Sequence, residues 1–338
     1  MSLRSNGAKV YVIRDKEHRL SSPPPAQAAT SLLIGSIEKT DHRSFTAKGQ
    51  FHPVSDTFLL EHTLGGSPIL PMVVTMECFL EAISMAKETF RLTEVSLEDL
   101  KIHQGFKFRI KKSFDYYIVG KEESAPGNAV SLALHGDFYN VQGQRIKTDK
   151  LYASAVVRFN GQHKGTNLNL TPISNEWRDM IYSDDLPIFH GASFRCLQQF
   201  HSISERRAIT TVHVPDSMDV FSGRKADTEP VLNAVIVDAA LFSCGVLHWK
   251  TMRQGVCIPS TIQKIVFGSG RLQKGETAQI HIERGIADTA GRESGGDGKQ
   301  VVFNFTIRNS KGEVVYDVEG YTAIVLKTPT RTFEPVKI

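Results

Sequence analysis

Two residues of this 338-residue chain carry side chains suited to proton transfer in settings that would tune them. His62 lies in FLLEHTLGGSPILP, after an apolar, strand-like run and before a Gly-Gly turn and Pro71. Imidazole is the side chain best suited to accept a proton near neutral pH. The glycines let backbone pass close to a ligand. A helix starting at Pro71 would add free N–H groups and a positive dipole end, able to polarise a carbonyl oxygen. Asp238 lies in VLNAVIVDAALFSCGV and is the only charged residue between Ala234 and Ser243. An unpaired carboxylate buried there costs several kcal/mol. Protonation, through a pKa raised by desolvation, removes that cost, and a neutral carboxyl at pH 7 is what a general acid requires. Each residue also has a plainer reading. His62 is then a strand-end histidine bonded to a loop, and Asp238 a carboxylate that caps a backbone group or pairs with Lys or Arg. As a pair they say more: one base and one acid, each beside or on the long helix of its half. Removing an α proton and protonating a β-hydroxyl leaving group needs such a pair, each transfer being worth roughly 10²–10⁴ in rate.

The elements that must position them are mostly strands. Alternating or β-branched runs cover Leu32–Ile37, Ser44–Phe51, Phe114–Val119, Val130–Tyr139 and Leu151–Phe159. One long helix is expected from Pro71 through PMVVTMECFLEAISMAKETF, with Met72, Met76, Phe79, Leu80, Ile83 and Ala86 near helical spacing. The grammar then repeats: a strand at Arg207–Val214, a loop from Pro215 to Glu229, a helix after Pro230, and strands at Ile262–Phe267, Thr277–Glu283, Val301–Ile307 and Val314–Leu326. The boundaries expected are a tail or linker over 1–30 (with SSPPPAQAAT), a first unit over 31–160, a polar connection over 161–187, a second unit over 188–328 and a tail over 329–338. Gly285 to Lys299, GIADTAGRESGGDGK, reads as a surface loop. Met1-Ser2-Leu3 reads as an appended start, which would make the chain a piece of a longer protein. A long helix wrapped by an antiparallel sheet, twice over, is a two-layer α+β architecture.

Composition excludes several classes. With 41% hydrophobic and 22% charged residues, the chain is neither disordered nor collagen-like. Apolar runs are broken well before about 18 residues, so no membrane-spanning helix is expected, and MSLRSNGAKVYVIRDKEHRL lacks the apolar core of a secretory signal. A net charge of +4 from scattered basic residues disfavours a nucleic-acid surface. Cys78, Cys196, Cys244 and Cys257 form no CxxC and are expected as buried free thiols. Cys244 and His248, four apart on a helix, are too few ligands for a metal. There is no Walker A sequence, no GxGxxG and no GxSxG.

These motifs resemble those of polyketide synthase dehydratase domains. His62, Gly66 and Pro71 match HxxxGxxxxP, preceded by Phe51-His52-Pro53. Asp238-Ala239-Ala240-Leu241 is similar to that family's second motif, and His190-Gly191-Ala192-Ser193-Phe194 to its YGPxF segment. Ile258-Pro259-Ser260 resembles the proline-containing strand after the second helix. The order holds over roughly residues 35–327. The resemblance implies a double hotdog and loss of water from a 3-hydroxyacyl thioester held on the phosphopantetheine of an acyl carrier protein, without a further cofactor. By position, His62 would be the base and Asp238 the acid. Gly66 would offer an N–H to the thioester carbonyl and Pro71 would fix the helix start, with His190, Gly191, Phe194 and Phe242 also at the substrate. The implied partners are the acyl carrier protein and other synthase domains, in the cytoplasm, with a homodimer compatible and neither nucleic acid nor membrane involved. Glu205-Arg206-Arg207 reads as a solvated turn or as a contact for the acidic carrier protein. Three positions depart from the pattern. Phe242 stands where the family has Gln or His, His190 where it has Tyr, and Ala192 where it has Pro. The Phe189-His190-Gly191 version resembles the iterative synthases of enediynes and polyunsaturated fatty acids. The alternatives are a dehydratase-like scaffold of weak activity, serving acyl binding or dimerisation, and a hotdog isomerase or thioesterase.

Overall fold

Period-two alternation puts one face of each strand in a core and the other in water, and most of the chain follows it. The computed structural model describes residues 31–326, except 109–110, 124–127, 141, 160–181, 183–187, 216–218, 225–228, 253–254 and 286–298. The expected tails, the connection over 161–187 (Tyr182 apart) and most of the Gly285–Lys299 loop lie outside the described residues.

The first half comprises β1 (Ile34–Lys39), β2 (Ser44–Phe51), the one-turn helix α1 (Thr57–Leu60), β3 (His62–Leu64), β4 (Ser67–Pro68), α2 (Met72–Ala86), β5 (Val95–Ile102), β6 (Phe114–Glu122), β7 (Ala129–Tyr139) and β8 (Arg145–Phe159). The second comprises β9 (Ile188–His190), β10 (Leu197–Ile203), β11 (Arg207–His213), α3 (Ala234–Met252), β12 (Val256–Phe267), β13 (Thr277–Arg284), β14 (Lys299–Arg308) and β15 (Val314–Leu326). Twelve strands form one antiparallel sheet in the order β1-β2-β6-β7-β8-β5-β12-β15-β14-β13-β11-β10. The seam is β5 on β12, with Ile262 opposite Leu100 and Lys264 opposite Glu98. There the Lys264 Nζ lies 3.4 Å from Glu98 Oε1. The sheet wraps α2 in one half and α3 in the other, an α+β double hotdog. β5 escaped the sequence reading because Glu98, Asp99 and Lys101 interrupt its alternation. Asp99 sits at φ +51°, where the β5–β8 register shifts.

α2 is buried from Met72 through Ile83 with no polar face over that span. It has sheet on one side and α3 on the other. That burial takes in two carboxylates, each committed to backbone. Glu77 accepts the N–H groups of Val231 (2.6 Å) and Leu232 (2.7 Å) from the second half. Glu81 accepts those of Leu32, Leu33 and Ile34 at 2.9–3.2 Å, and the Ser31 hydroxyl. Burial first, and the Glu81 charge second, push the Glu77 carboxyl well above the usual range. Glu77 also explains why α3 starts at Ala234 and not directly after Pro230: the intervening N–H groups of Val231 and Leu232 are held by that carboxylate.

The apolar run Phe58-Leu59-Leu60, expected as a strand, is the α1 turn. Asp56 precedes it and takes the His52 N–H at 2.6 Å. It is also gripped by both Nε (2.8 Å) and Nη2 of Arg224, from the second half. The local bond to the His52 N–H and the long-range ion pair outweigh strand propensity there. α3 meets the length and composition of a membrane-spanning helix despite Asp238, but most of its apolar window is buried inside this fold.

Candidate active site

Backbone pairing brings the two halves of the site together. β3 pairs antiparallel with β9, placing His62 opposite His190, Thr63 opposite Phe189 and Leu64 opposite Ile188. The β3–β4 hairpin turns on Gly65 (φ +57°) and Gly66 (φ +74°), a two-residue turn with both central φ angles positive, which glycine tolerates. Beyond β9 the chain is clamped from the His62 side. The Gly191 N–H donates to the Glu61 carbonyl (2.7 Å) and the Ser193 N–H to Glu61 Oε2 (2.6 Å). Gly191 has no room for more than hydrogen, since a Cβ would lie 2.5–2.7 Å from Cβ, Cγ and Cδ of Glu61.

Asp238, in the second turn of α3, meets both imidazoles. His190 Nε2 lies 3.1 Å from Asp238 Oδ2, and His62 Nε2 lies 3.7 Å from Oδ1. The side chains are 13% (His62), 3% (His190) and 7% (Asp238) exposed. The two imidazoles meet edge to face at 5.0 Å. Phe194 packs 5.4 Å from His62 and 6.0 Å from His190. Phe242 lies 4.6 Å from His190 and stacks on Tyr182 at 5.2 Å. From this triad a cleft runs along one face of α3. Its wall takes Asp238, Leu241, Phe242, Gly245, Val246 and Trp249, at i, i+3, i+4, i+7, i+8 and i+11. Cys257, Pro259 and Tyr321 close the sheet side.

The electrostatics divide the roles. Burial lowers the His62 pKa to about 4; Asp238 opposes that shift and His190 adds to it. His62 is therefore a neutral imidazole at physiological pH, ready to accept a proton. Burial pushes the Asp238 carboxyl up, but the His190 hydrogen bond and the charge of both imidazoles outweigh it, so the net shift is downward. The neutral carboxyl expected from desolvation is thus corrected. Among the open readings of Asp238, the structure selects a paired carboxylate, with histidine in place of Lys or Arg as partner.

His62, Asp238, His190 and Phe242 line one cleft, with Phe194 behind the imidazoles. Gly191 holds the β9 turn. Gly66 stands at the exposed hairpin tip and Pro71 is the buried N-cap of α2; neither is in the cleft wall. Gly245 and Trp249 were missed in sequence, although counting helical turns from Asp238 reaches both. Cys244 and His248 gather no third ligand among the described residues. The one three-ligand grouping there is His62, His190 and Asp238, with ligand atoms within 4.8 Å of one another. A metal-bound histidine usually donates its second ring N–H to a partner. Nδ1 of both histidines is buried with no protein partner among the described residues. The arrangement fits proton transfer better than metal ligation.

Comparison with known proteins agrees with this geometry. Residues 31–130 match the family described as "Polyketide synthase dehydratase domain", and residues 181–330 that described as "Polyketide synthase dehydratase N-terminal domain". Among solved structures, the dehydratase domain from the CurJ module of curacin polyketide synthase is 17% identical with a TM-score of 0.66, covering 88% of this chain and 96% of that one. The dehydratase domain of RzxB from Pseudomonas fluorescens is 13% identical at 0.63, covering 87% and 99%. A trans-acyltransferase polyketide synthase enoyl-isomerase is 13% identical at 0.59, covering 82% and 98%. At these identities the structural likeness speaks for the fold. No curated protein matches the chain in sequence. With the two family matches spanning both halves, in the order the motifs require, the chain belongs to the polyketide synthase dehydratase family.

Proposed function

We propose that this domain eliminates water from a 3-hydroxyacyl thioester carried on the phosphopantetheine of an acyl carrier protein, giving the 2-enoyl thioester. The observation that carries the reading is the 3.7 Å approach of His62 Nε2 to Asp238 Oδ1 at the head of an apolar cleft. Its walls are apolar along α3, which suits an acyl chain, and polar only where the chemistry would occur. His62 Nε2 takes the α proton. The electron pair forms the α–β double bond, the β C–O bond breaks, and Asp238 delivers a proton to the departing oxygen, releasing water. The roles follow from position: a neutral imidazole can accept, and the Asp238 carboxylate, 3.7 Å away, can take up that proton and pass it on as a carboxyl. The side chains carry this chemistry themselves, so the reading needs no cofactor beyond the carrier's arm. The carrier protein and other synthase domains are the partners it calls for, in the cytoplasm.

The test is turnover of a 3-hydroxyacyl N-acetylcysteamine or carrier-bound thioester, followed by mass spectrometry. The native domain is expected to yield a product one water lighter. His62→Ala and Asp238→Asn are each expected to reduce kcat by roughly 10²–10⁴. Near-native turnover by either variant would remove the role assigned to that residue. Release of the free acid, or a shifted double bond without loss of water, would replace dehydration with hydrolysis or isomerisation.

A further inference from the structure

We propose that in this chain the hydrogen-bonding partner of the acid has moved from α3 to β9, so that His190 positions Asp238. Residue 242 lies one helical turn beyond Asp238 on the same face of α3, where a donor could reach the carboxylate. Phenylalanine there can donate nothing. Its ring instead packs 4.6 Å from His190 and stacks on Tyr182, so Phe242 supports the imidazole from behind.

His190 is held well enough to replace that donor. Its backbone faces His62 across the β3–β9 pairing. Its carbonyl accepts the Arg195 Nε–H at 2.7 Å. The next residue, Gly191, is locked onto Glu61. With the side chain almost fully buried and Nε2 3.1 Å from Asp238 Oδ2, the hydrogen belongs on Nε2. Nδ1 has no protein partner among the described residues, and the tautomer follows from that network. Oδ2 is thereby occupied, and Oδ1 is left facing His62 and the cleft.

The arrangement closes a proton cycle. At rest His190 donates its Nε2–H to the Asp238 carboxylate and keeps that proton throughout. His62 Nε2 takes the substrate's α proton and, facing Oδ1 at 3.7 Å, hands it to Asp238. The carboxyl so formed delivers it to the departing β-oxygen as the β C–O bond breaks, and water leaves. Neutral His62 and the Asp238 carboxylate are thereby restored. Protons balance over the cycle, and none has to come from solvent. This cycle rests on the dehydration reading, whereas the hydrogen bond beneath it is testable alone.

Substitution and rescue test the cycle. His190→Phe is expected to lower kcat by roughly 10–100-fold, the usual cost of losing an orienting partner, with KM changed less than about threefold. Phe242→His or Phe242→Gln in the His190→Phe background restores a donor one turn from Asp238. Either is expected to recover at least about tenfold in kcat. A merely structural loss would not be rescued from position 242. Retention of kcat within about twofold in His190→Phe, or failure of both rescuing variants while the melting temperature is unchanged, would overturn the cycle. If His190→Phe does not fold, His190→Gln, which keeps a donor, takes its place and is expected to hold most of kcat; loss as deep as that of Asp238→Asn would overturn the proposal. For the hydrogen bond itself, long-range ¹H–¹⁵N NMR of the native domain is expected to show His190 protonated at Nε2, with that signal displaced in Asp238→Ala. The opposite tautomer, or no change in Asp238→Ala, would overturn the assignment even if no thioester tested were turned over.

Discussion

Replacing His62 with glutamine removes a titrating group whose folded and unfolded states bind protons very differently. In the folded domain burial holds its pKa near 4, against 6.5 for an exposed histidine. The side chain is 13% exposed, so solvent screening takes little from that difference. The sign follows directly. Between pH 6.5 and about 4 the unfolded chain binds a proton at His62 that the folded chain refuses, so folding stability falls as pH falls through that window and is unaffected above it. Integrating over the two titrations, His62 alone costs roughly 2 kcal/mol of stability between pH 7.5 and pH 5.0. Urea unfolding of the native domain and His62→Gln at both pH values measures this, because titrating groups that do not touch His62 contribute equally to both proteins and drop out, leaving His62 with its coupling to Asp238 and His190. The native domain is expected to lose about 2 kcal/mol more than the variant on going to pH 5.0. The same depressed pKa keeps the base unprotonated, so kcat/KM for dehydration is expected to hold down to about pH 5 before falling. Equal losses in both proteins, or an NMR titration of His62 with its midpoint near 6.5, would refute the reasoning about burial.

Two other expectations address the frame of the site. Gly191→Ala places a methyl 2.5–2.7 Å from the Glu61 side chain at an ordinary φ of −75°, so its cost is steric and not conformational. A loss of about 1–3 kcal/mol in thermal unfolding is expected, relieved by Glu61→Gly in the same chain, and no relief would contradict the clash. Gly245→Ala meets only Cys257 Cβ at 3.5 Å and is expected to be neutral, while Gly245→Leu reaches into the cleft. Comparing kcat/KM across acyl chain lengths, Gly245→Leu is expected to discriminate against long chains by more than about tenfold while sparing short ones; an even loss across lengths would place the acyl chain elsewhere.

Much of this was legible in the amino-acid order. The strands over Ser44–Phe51 and Val314–Leu326 were bounded correctly, because clean alternation flanked by turn residues is the strongest short-range signal available. His62 and Asp238 stood out for similar reasons, a histidine before a glycine turn and a lone charge among apolar neighbours. What stayed hidden depended on distant partners. Phe58-Leu59-Leu60 became a helical turn because Arg224, far along the chain, grips Asp56. The ionisation of Asp238 could not be read locally, since the imidazole that reverses its shift lies 48 residues away and arrives only through the β3–β9 pairing. β5 was hidden by its own charges, although it forms the seam of the whole sheet.

That seam has a consequence for how the protein behaves at low concentration. His62 comes from one half and Asp238 from the other, and what joins them is covalent connection reinforced by a shared sheet, the Glu77 clasp and the Arg224–Asp56 pair. Two separate copies meeting through the same strands would lose such a constellation on dilution, as mass action pulled them apart. Here the partner is always tethered, its effective concentration fixed by the chain. Specific activity should then stay level as the protein is diluted.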